Sequence, residues 1–324
     1  MAESTNAAAR AGTGPWPELP AGSWTDTIET LHMWTQIVGK IRMELSPWVN
    51  HSWSVPLYVT PRGLTTASIP HGGGTFQIDF DFVSHTLPIV ASNGEVRTVG
   101  LGPMTVAEFY TQVFAALRSL GIVASISPRP CEIPNPILFP EDEVHGAYAK
   151  DHVEALHRAL VDAARVMGAF RSRFIGKVSP VHLFWGAFDL AVTRFSGRKA
   201  PPHPGGIPNL SDAVTREAYS HEVSSCGFWV GNREAPDPVF YAYAYPKPEG
   251  FSEARVRPAE AFWLADLGEF VLPYDAVRGS RRPDEALEDF FQSTYDAAAN
   301  LAGWDRENLE RESGYRPLPK EGVS

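Results

Sequence analysis

The sequence predicts an α+β protein built from two similar halves, each an antiparallel sheet packed by long helices. Three observations indicate this class. Apolar residues recur at helical spacing in a few long segments, strand-like segments follow one another with turn signals between them, and the order of long helix, several strands and helix occurs twice. The chain has 324 residues, which is enough for one large domain or two ordinary ones.

The first half begins with a predicted helix over residues 24–45, where apolar side chains fall mostly at three- and four-residue spacings. Ser46-Pro47 ends this helix, because a residue before proline avoids the helical conformation. A capping box formed by Thr105 and Glu108 begins a second helix that runs to about residue 120. Strands are expected at residues 53–60, 76–82, 87–91, 96–101 and 123–127.

A proline-rich segment at residues 128–146 is predicted to link the two halves. In the second half we expect a long helix over residues 152–170 and a last helix from Pro283 to Gly303. Strands are expected at residues 179–194, 220–230, 239–245 and 262–272. The predicted organisation is a disordered tail at 1–15, halves at 16–127 and 147–304, and a frayed tail at 305–324.

The two halves suggest an internal duplication. Ser46-Pro47 is separated from Ser179-Pro180 by the same number of residues as Val59-Thr60 from Val192-Thr193, and in both halves a helix runs into a core strand. Two unrelated layers of similar shape are the alternative. A duplication would create a seam with pseudo-two-fold symmetry, and ligand pockets favour such interfaces.

Composition and charge exclude several classes of partner. The net charge of −10 disfavours nucleic acid and anionic membrane surfaces, and no apolar run approaches the roughly 20 residues that span a bilayer. Residues 1–14 lack the apolar core of a signal peptide. The two cysteines give neither a disulfide framework nor a CxxC metal motif. We therefore expect a cytoplasmic protein that acts on a small molecule.

The most informative segment is residues 179–194, which is predicted to be one core strand that is apolar on both faces. It nevertheless contains His182, Asp189 and Arg194, and buried ionisable groups often mark sites. Strand alternation places Asp189 on the face of Trp185 and places His182 and Arg194 on the other face. Asp189 is thus expected either to form a buried salt bridge with another element or to act as a catalytic or ligand-orienting carboxylate.

Four histidines are candidates for one shared site. His32 lies on the first helix in a row with Gln36 and Lys40, which either lines a cleft or forms a solvated face. His51 and His182 stand at the entrances of the two corresponding core strands and would meet across the seam. With His221, these imidazoles could bind a divalent transition metal, although the spacing is not diagnostic. The alternative is that each histidine only forms structural hydrogen bonds.

The later strands add further candidates. His221 and Glu222 face opposite sides of a regular strand, so only one of them can face a pocket, and His221 would share its face with Ser225. Tyr241 and Tyr243 alternate with small or apolar residues and form a ladder. This ladder is either a wall for ligand stacking or an ordinary cross-strand layer.

Several of these segments resemble one protein family. The segments are LHMWTQIVGK at residues 31–40, VPLYVT at 55–60, the stretch 179–198, and YSHEVSS at 219–225. They are similar to the bacterial family known as domain of unknown function 5996, over roughly residues 16–304. The resemblance implies one compact bacterial protein, and it supplies no activity, cofactor or catalytic residue.

The sequence therefore favours a cytoplasmic small-molecule enzyme with its site between the halves, using acid–base or metal-assisted chemistry for hydrolysis or elimination. The alternative is a non-catalytic protein that encloses an apolar or aromatic ligand. The predicted catalytic residues are His32, His51, His182, Asp189, His221 and Glu222. The predicted ligand contacts are Gln36, Lys40, Trp185, Arg194, Ser225, Tyr241 and Tyr243.

Overall fold

A computed structural model describes residues 16–19 and 22–311. The predicted tail at 1–15 and most of the predicted tail at 305–324 lie outside these residues. The described helices are α1 (Thr25–Leu45), α2 (Val106–Ser119), α3 (Lys150–Ser172), α4 (Asp212–Ala218), α5 (Tyr274–Arg278), α6 (Pro283–Leu301) and α7 (Arg306–Leu309). No helix in this part of the chain is long and apolar enough to cross a membrane.

Twelve strands of the described chain form two antiparallel sheets, which confirms the α+β class. The strands are β1 (Tyr58–Thr60), β2 (Gly63–Thr65), β3 (Ile69–His71), β4 (Gly74–Asp81), β5 (Thr86–Ala91), β6 (Val96–Gly100), β7 (His182–Phe184), β8 (Asp189–Lys199), β9 (His221–Trp229), β10 (Val239–Tyr245), β11 (Phe262–Leu264) and β12 (Glu269–Pro273). The first sheet has the order β1-β2-β4-β5-β6, with β3 paired to β4. The second has the order β11-β12-β10-β9-β8-β7.

The two sheets meet where β1 approaches β7. Leu57 and Leu183 exchange two backbone hydrogen bonds of 2.9 and 2.8 Å, and buried apolar side chains from both halves form one continuous core. The structure does not confirm an internal duplication. The first sheet has β3 as a side branch on β4, whereas the second sheet is a single row with β12 inserted between β10 and β11.

The predicted strand over residues 179–194 is wrong in one important respect, because the segment is a hairpin of β7 and β8. The turn at residues 185–188 reverses the chain, with Phe188 in the left-handed conformation at φ 58°. His182 therefore pairs with Ala191 and lies on the same face as Asp189. Arg194 pairs with Ser224 and lies on the opposite face, as predicted.

Three other strand predictions are also wrong. Residues 53–60 contain a strand only at their end, because the chain first forms a short 3₁₀ helix, Asn50–Ser52, and then turns. Residues 123–127 form no strand and run along the surface as an irregular segment, with Val123 strongly exposed. The predicted single strand over residues 262–272 is a hairpin of β11 and β12, with a turn at residues 265–268. The other predicted helices and strands lie within a few residues of their predicted positions.

The face of the second sheet that carries Arg194 packs against α3 and α6. Arg194 is 1% exposed, and its guanidinium lies 3.5 Å from the ring centre of Phe170 and 4.3 Å from that of Tyr295. It donates a hydrogen bond to the carbonyl of Phe170 in the last turn of α3, where a positive charge is favourable. Burial lowers the pKa of Arg194 to about 10. These contacts give Arg194 a structural role in the core, and its predicted ligand contact stays a prediction.

Residues 16–19 also belong to the core. Trp16 packs edge-on against Phe240 and Tyr274, with ring centres 5.8 Å apart in each case. Its indole N–H donates to Asp284 Oδ1 at 3.0 Å, and the Tyr274 hydroxyl donates to the carbonyl of Pro17 at 2.7 Å. The start of the described chain is therefore fixed to elements near its end.

Helix α1 packs against the β7–β8 turn at a glycine. A Cβ atom at Gly39 would lie 2.2 Å from the Trp185 ring, so the helix can approach this closely only without a side chain. Trp185 is itself buried, and its indole N–H donates to the carbonyl of Val55 at 2.9 Å. The indole is thus a structural contact between α1 and the segment before β1, and its predicted role in ligand binding stays a prediction.

We predict that Gly39→Ala destabilises the protein by about 1–3 kcal/mol, because the added methyl group must displace the Trp185 ring. Gly168→Ala in α3 is the matched control, since a Cβ atom there meets nothing within 4 Å. The control should gain about 0.5–1 kcal/mol from its higher helix propensity. Urea denaturation of both variants measures the difference, and a stabilised Gly39→Ala protein would contradict the close packing.

Candidate functional site

The face of the second sheet opposite α3 and α6 carries a group of carboxyl and tyrosine side chains. Asp189 begins β8, Tyr241 and Tyr243 lie on β10, and Glu269 begins β12. The antiparallel register places all four on one face. Each side chain is only partly exposed, so the group is largely enclosed but still reaches solvent.

Two irregular segments lie against this face and hold each other. Glu132, in the proline-rich segment predicted as a linker, donates its backbone N–H to the carbonyl of Pro208 at 2.9 Å. Asn209 donates its side-chain amide to the carbonyl of Ile133 at 2.6 Å. In the same loop as Pro208, the His203 ring stacks on Tyr219 at 4.7 Å. These contacts form the outer wall of the site.

Two separate hydroxyl contacts lie at this end of the cluster. The Tyr241 hydroxyl donates a short hydrogen bond to Asp189 Oδ2, and the Tyr241 and Tyr243 rings stack with centres 6.1 Å apart. The hydroxyls of Tyr219 and Tyr243 are 2.8 Å apart. Burial raises the pKa of Asp189 to about 6, although the hydrogen bond from Tyr241 opposes this shift. Burial also raises the pKa of Tyr241 and Tyr243 well above the ordinary value.

Two further carboxyl groups share this environment. Burial, and then the nearby charge of Asp189, raises the pKa of Glu132 to about 7 and that of Glu269 to about 7. Across the described chain, none of the three carboxyls forms an ion pair with an arginine, lysine or histidine. We call Glu132, Asp189, Glu269, Tyr219, Tyr241 and Tyr243 the carboxyl–tyrosine cluster.

The backbone around the cluster is strained. Glu132 and Phe188 both adopt the left-handed conformation, at φ 60° and 58°. This conformation is costly for bulky residues, and it tends to persist at functional sites. Gly186 completes the arrangement, because a Cβ atom there would lie 1.9 Å from Oε1 of Glu132. The turn is thus shaped to admit the Glu132 carboxyl.

The polar row on α1 adjoins the cluster and is not a solvated face. Gln36 is fully buried and Lys40 is 3% exposed. The Gln36 amide clamps the backbone of Cys131, accepting from its N–H at 2.7 Å and donating to its carbonyl at 3.0 Å. Lys40 Nζ lies 3.1 Å from Cys131 Sγ. Gln36 and Lys40 therefore position the residue that precedes Glu132.

His32 supports the β7–β8 turn. Its Nε2 lies 2.8 Å from the carbonyl of Gly186, and its ring stacks on Phe188 with centres 5.3 Å apart. Burial lowers the pKa of His32 to about 4, so this ring is neutral near pH 7 and donates its N–H to the Gly186 carbonyl. The structure therefore gives His32 a positioning role beside the cluster.

His51 and His221 form a second group on the same face. Their ring centres are 6.2 Å apart, and the His51 ring centre lies 4.7 Å from that of Phe195, six residues along β8 from Asp189. Six strand residues correspond to roughly 20 Å. The structure thus separates these two histidines from the carboxyl–tyrosine cluster.

His182 is isolated from the other histidines. It is 1% exposed, and neither ring nitrogen has a hydrogen-bond partner. Burial, and then the positive charges of Arg42 and Arg171, lowers its pKa to about 3. No group of three or more metal-ligating side chains occurs among residues 16–19 and 22–311. The shared metal site predicted for His32, His51, His182 and His221 is therefore wrong, because the structure brings His51 and His221 close together but places no third metal-ligating side chain of the described chain beside them.

The other predicted residues on β9 have different environments. Glu222 accepts from Arg198 at 2.7 Å and from the Ser196 hydroxyl at 2.8 Å. Arg198 also donates to the carbonyl of Ala302 at the end of α6, so this ion pair is structural. Ser225 pairs with Tyr243 across the sheet and shares a 2.8 Å hydrogen bond with Thr193. Ser225 thus borders the cluster, whereas Glu222 does not.

Sequence reasoning missed Glu132, Glu269 and Tyr219. Glu132 lies in a segment whose prolines indicated only a linker, and no sequence signal marks it as buried. Glu269 directly follows Gly268, where the chain turns between β11 and β12. Recognition of that turn would have placed Glu269 at a strand start, on the same face as Tyr243.

The fold and the site define an α+β protein with a largely enclosed carboxyl–tyrosine cluster on one sheet face. A model of the family of unknown function DUF5996 matches residues 16–311. The chain belongs to this family, which confirms the resemblance seen in the sequence. No curated protein and no solved structure matches the chain.

We predict that Asp189→Asn stabilises the protein at pH 8 by about 1–2 kcal/mol. The pKa of Asp189 is about 6 in the folded protein against an ordinary 3.8, so folding favours the protonated form. The stabilisation that comes from the protonated Asp189 carboxyl is fully present below pH 4 and is lost as the pH rises through 6. Asparagine cannot ionise and can still accept from Tyr241, so the advantage of the variant should disappear near pH 4.

Asp81→Asn is the matched control for this prediction, with the opposite sign. Burial opposes ionisation of Asp81, but hydrogen bonds from Arg62 and Ser84 outweigh it and lower its pKa to about 2. The ionised form thus stabilises the fold above pH 4, and the variant should lose about 0.5–1 kcal/mol at pH 8. Urea denaturation at pH 4 and pH 8 measures both variants. Destabilisation by Asp189→Asn at pH 8 would show that the buried carboxylate stabilises the fold.

Proposed function

We propose that the protein is an enzyme that transfers protons on a small molecule carrying a basic nitrogen, at the carboxyl–tyrosine cluster. One observation carries this proposal. Glu132, Asp189 and Glu269 are all partly buried, the charge of Asp189 acts on the other two, and the described chain supplies no cation that pairs with them. A protonated amine among them would relieve their mutual repulsion and favour their ionised forms.

The pKa values of these carboxyls suit acid–base chemistry near neutral pH. Asp189, with a pKa of about 6, is largely ionised at pH 7 and is the proposed proton acceptor. Glu132 and Glu269, each with a pKa of about 7, hold protons for part of the time and are the proposed donors. Pairs of carboxyls in opposite protonation states carry out hydrolysis and elimination in many enzymes.

The tyrosines contribute orientation and ligand contacts. Tyr241 holds one oxygen of Asp189 by its short hydrogen bond, which leaves the other oxygen for the substrate. The aromatic faces of Tyr219 and Tyr243 are suited to bind a cationic nitrogen. His32, Gln36 and Lys40 act as positioning residues that fix the Gly186 turn and the Cys131–Glu132 segment.

A non-catalytic binding protein for an aromatic ligand is the second candidate. The observation that favours it is the set of stacked rings beside the carboxyls, where His203 lies 4.7 Å from Tyr219 and 5.0 Å from Tyr245. For either function we propose a cytoplasmic location, because Cys131 and Cys226 are both free thiols. We propose a small molecule as the partner in both cases.

Calorimetric titration with a panel of primary amines, amidines and neutral aromatic compounds tests the ligand class. We expect an amine to bind with proton release at pH 6–7, because binding favours ionised carboxyls, and to bind more tightly as the pH rises through this range. Paired buffers with different ionisation enthalpies measure the released protons. If only the uncharged aromatic compounds bind, and they bind without release or uptake of protons, the result would instead support a non-catalytic binding protein.

Variants then separate catalysis from binding. Asp189→Asn should weaken amine binding at least roughly tenfold and abolish turnover of any bound compound that reacts. Glu132→Gln and Glu269→Gln should reduce turnover more than binding, because each removes a proposed proton donor. Asp81→Asn, which lies outside the site, should leave both unchanged. Full turnover by Asp189→Asn would contradict the proposed mechanism.

A further inference from the structure

A lysine–histidine pair lies on the same sheet face, apart from the carboxyl–tyrosine cluster. Lys177 Nζ is 2.6 Å from His51 Nε2, and the nitrogen lies 5.3 Å from the ring centre of Trp53 and 5.1 Å from that of Phe195. The backbone carbonyl of Lys177 accepts from the N–H of Phe195 at 3.0 Å, which fixes the segment beside β8. Lys177 is half-buried, so a small molecule can reach it.

The hydrogen bond at Nδ1 of His51 determines which ring nitrogen carries the hydrogen and which faces Lys177 with a lone pair. Nδ1 lies 2.9 Å from the carbonyl of Ala218, which can only accept, so Nδ1 carries the hydrogen in the neutral ring. Nε2 then presents a lone pair to the Lys177 nitrogen. His51 is therefore oriented to accept a proton from Lys177, which leaves a neutral amine against two aromatic rings.

The charges around the pair favour a neutral lysine. No carboxylate forms an ion pair with Lys177 in the described chain. The acidic group whose charge acts on His51 is Glu217, which accepts from the indole N–H of Trp48 at 2.9 Å, and the neighbouring His221 acts in the opposite sense. Burial lowers the pKa of Lys177 and also that of His51.

Two features show that the pair is built at a conformational cost. His51 and Ser52 are consecutive left-handed residues, at φ 58° and 59°. The hydroxyl of Ser52 is buried and has no hydrogen-bond partner. Strain and an unpaired buried hydroxyl at one place are both unfavourable for folding alone, and such features concentrate at functional sites.

We propose that Lys177 is a nucleophilic amine that forms a reversible imine with an aldehyde or ketone bearing an apolar or aromatic group. The amine nitrogen attacks the carbonyl carbon, and the resulting carbinolamine loses water to give the C=N bond. His51 takes a proton from the Lys177 ammonium and gives it to the carbonyl oxygen as the nitrogen attacks. It then takes a proton from the carbinolamine nitrogen and returns it to the departing hydroxyl group. The balance is one carbonyl compound and one ammonium giving one protonated imine and one water, with no oxidant or reductant.

Reductive trapping tests this site on the full chain. Benzaldehyde forms the imine, and cyanoborohydride reduces it to a stable secondary amine. Peptide mass spectrometry then locates the modified lysine. Lys247 is the internal control, because its nitrogen lies 5.3 Å from the Trp263 ring centre but has no hydrogen bond to a histidine. We expect the initial labelling rate of Lys177 to exceed that of Lys247 by roughly tenfold or more.

Variants identify the contribution of His51. His51→Asn keeps a residue that tolerates the left-handed conformation but is too short to reach Lys177, so labelling of Lys177 should fall to that of Lys247. His85→Asn, at another left-handed histidine with φ 52°, should leave labelling unchanged. Equal rates at Lys177 and Lys247 in the native protein would overturn the proposal, whatever the stability of the variants. Unchanged labelling in a folded His51→Asn protein would also overturn it.

Discussion

The four-residue turn between β7 and β8 is the constraint on which both sheets and the carboxyl site depend. Its first residue, Trp185, is wedged between Gly39 of α1 and the carbonyl of Val55. Its second, Gly186, accepts a hydrogen bond from His32 and leaves room for the Glu132 carboxyl. Its last, Phe188, is held in the left-handed conformation directly before Asp189. One turn therefore connects α1, the contact between the two sheets and the carboxyl–tyrosine cluster. A shift in any of these parts would move the others.

The same architecture explains why the two faces of the second sheet differ. Against α3 and α6, apolar side chains fill the space, and the buried guanidinium of Arg194 is satisfied by aromatic faces and a helix-end carbonyl. On the other face, irregular segments around Glu132 and Pro208 lie against the sheet, and carboxyls and hydroxyls are only partly buried there. Irregular segments also bring their own backbone strain, at Glu132 for example. The face that carries the carboxyl–tyrosine cluster thus contributes less to stability than the face that packs against α3 and α6.

How far the sequence predicts this structure depends on the range of the interactions involved. The long helices follow from apolar periodicity, and α2 follows from the capping box of Thr105 and Glu108, which the structure confirms. The β7–β8 hairpin could not be recognised, because its left-handed residue is a phenylalanine and the turn lies within an apolar run. Asp189 was found as a buried carboxylate. Glu132 was not, because its burial depends on a glycine more than fifty positions later.

The contacts of Trp16 and Pro17 have a consequence for the order of folding. Their partners lie on β10, on α5 and at the start of α6, more than two hundred residues further along the chain. A ribosome must therefore synthesise most of the protein before these residues find their native neighbours. Until then, the Trp16 ring and the apolar surface it covers stay open to solvent and to other nascent chains. Contacts between residues so far apart in sequence form slowly. Chaperones that cover the exposed apolar surface are therefore valuable during synthesis.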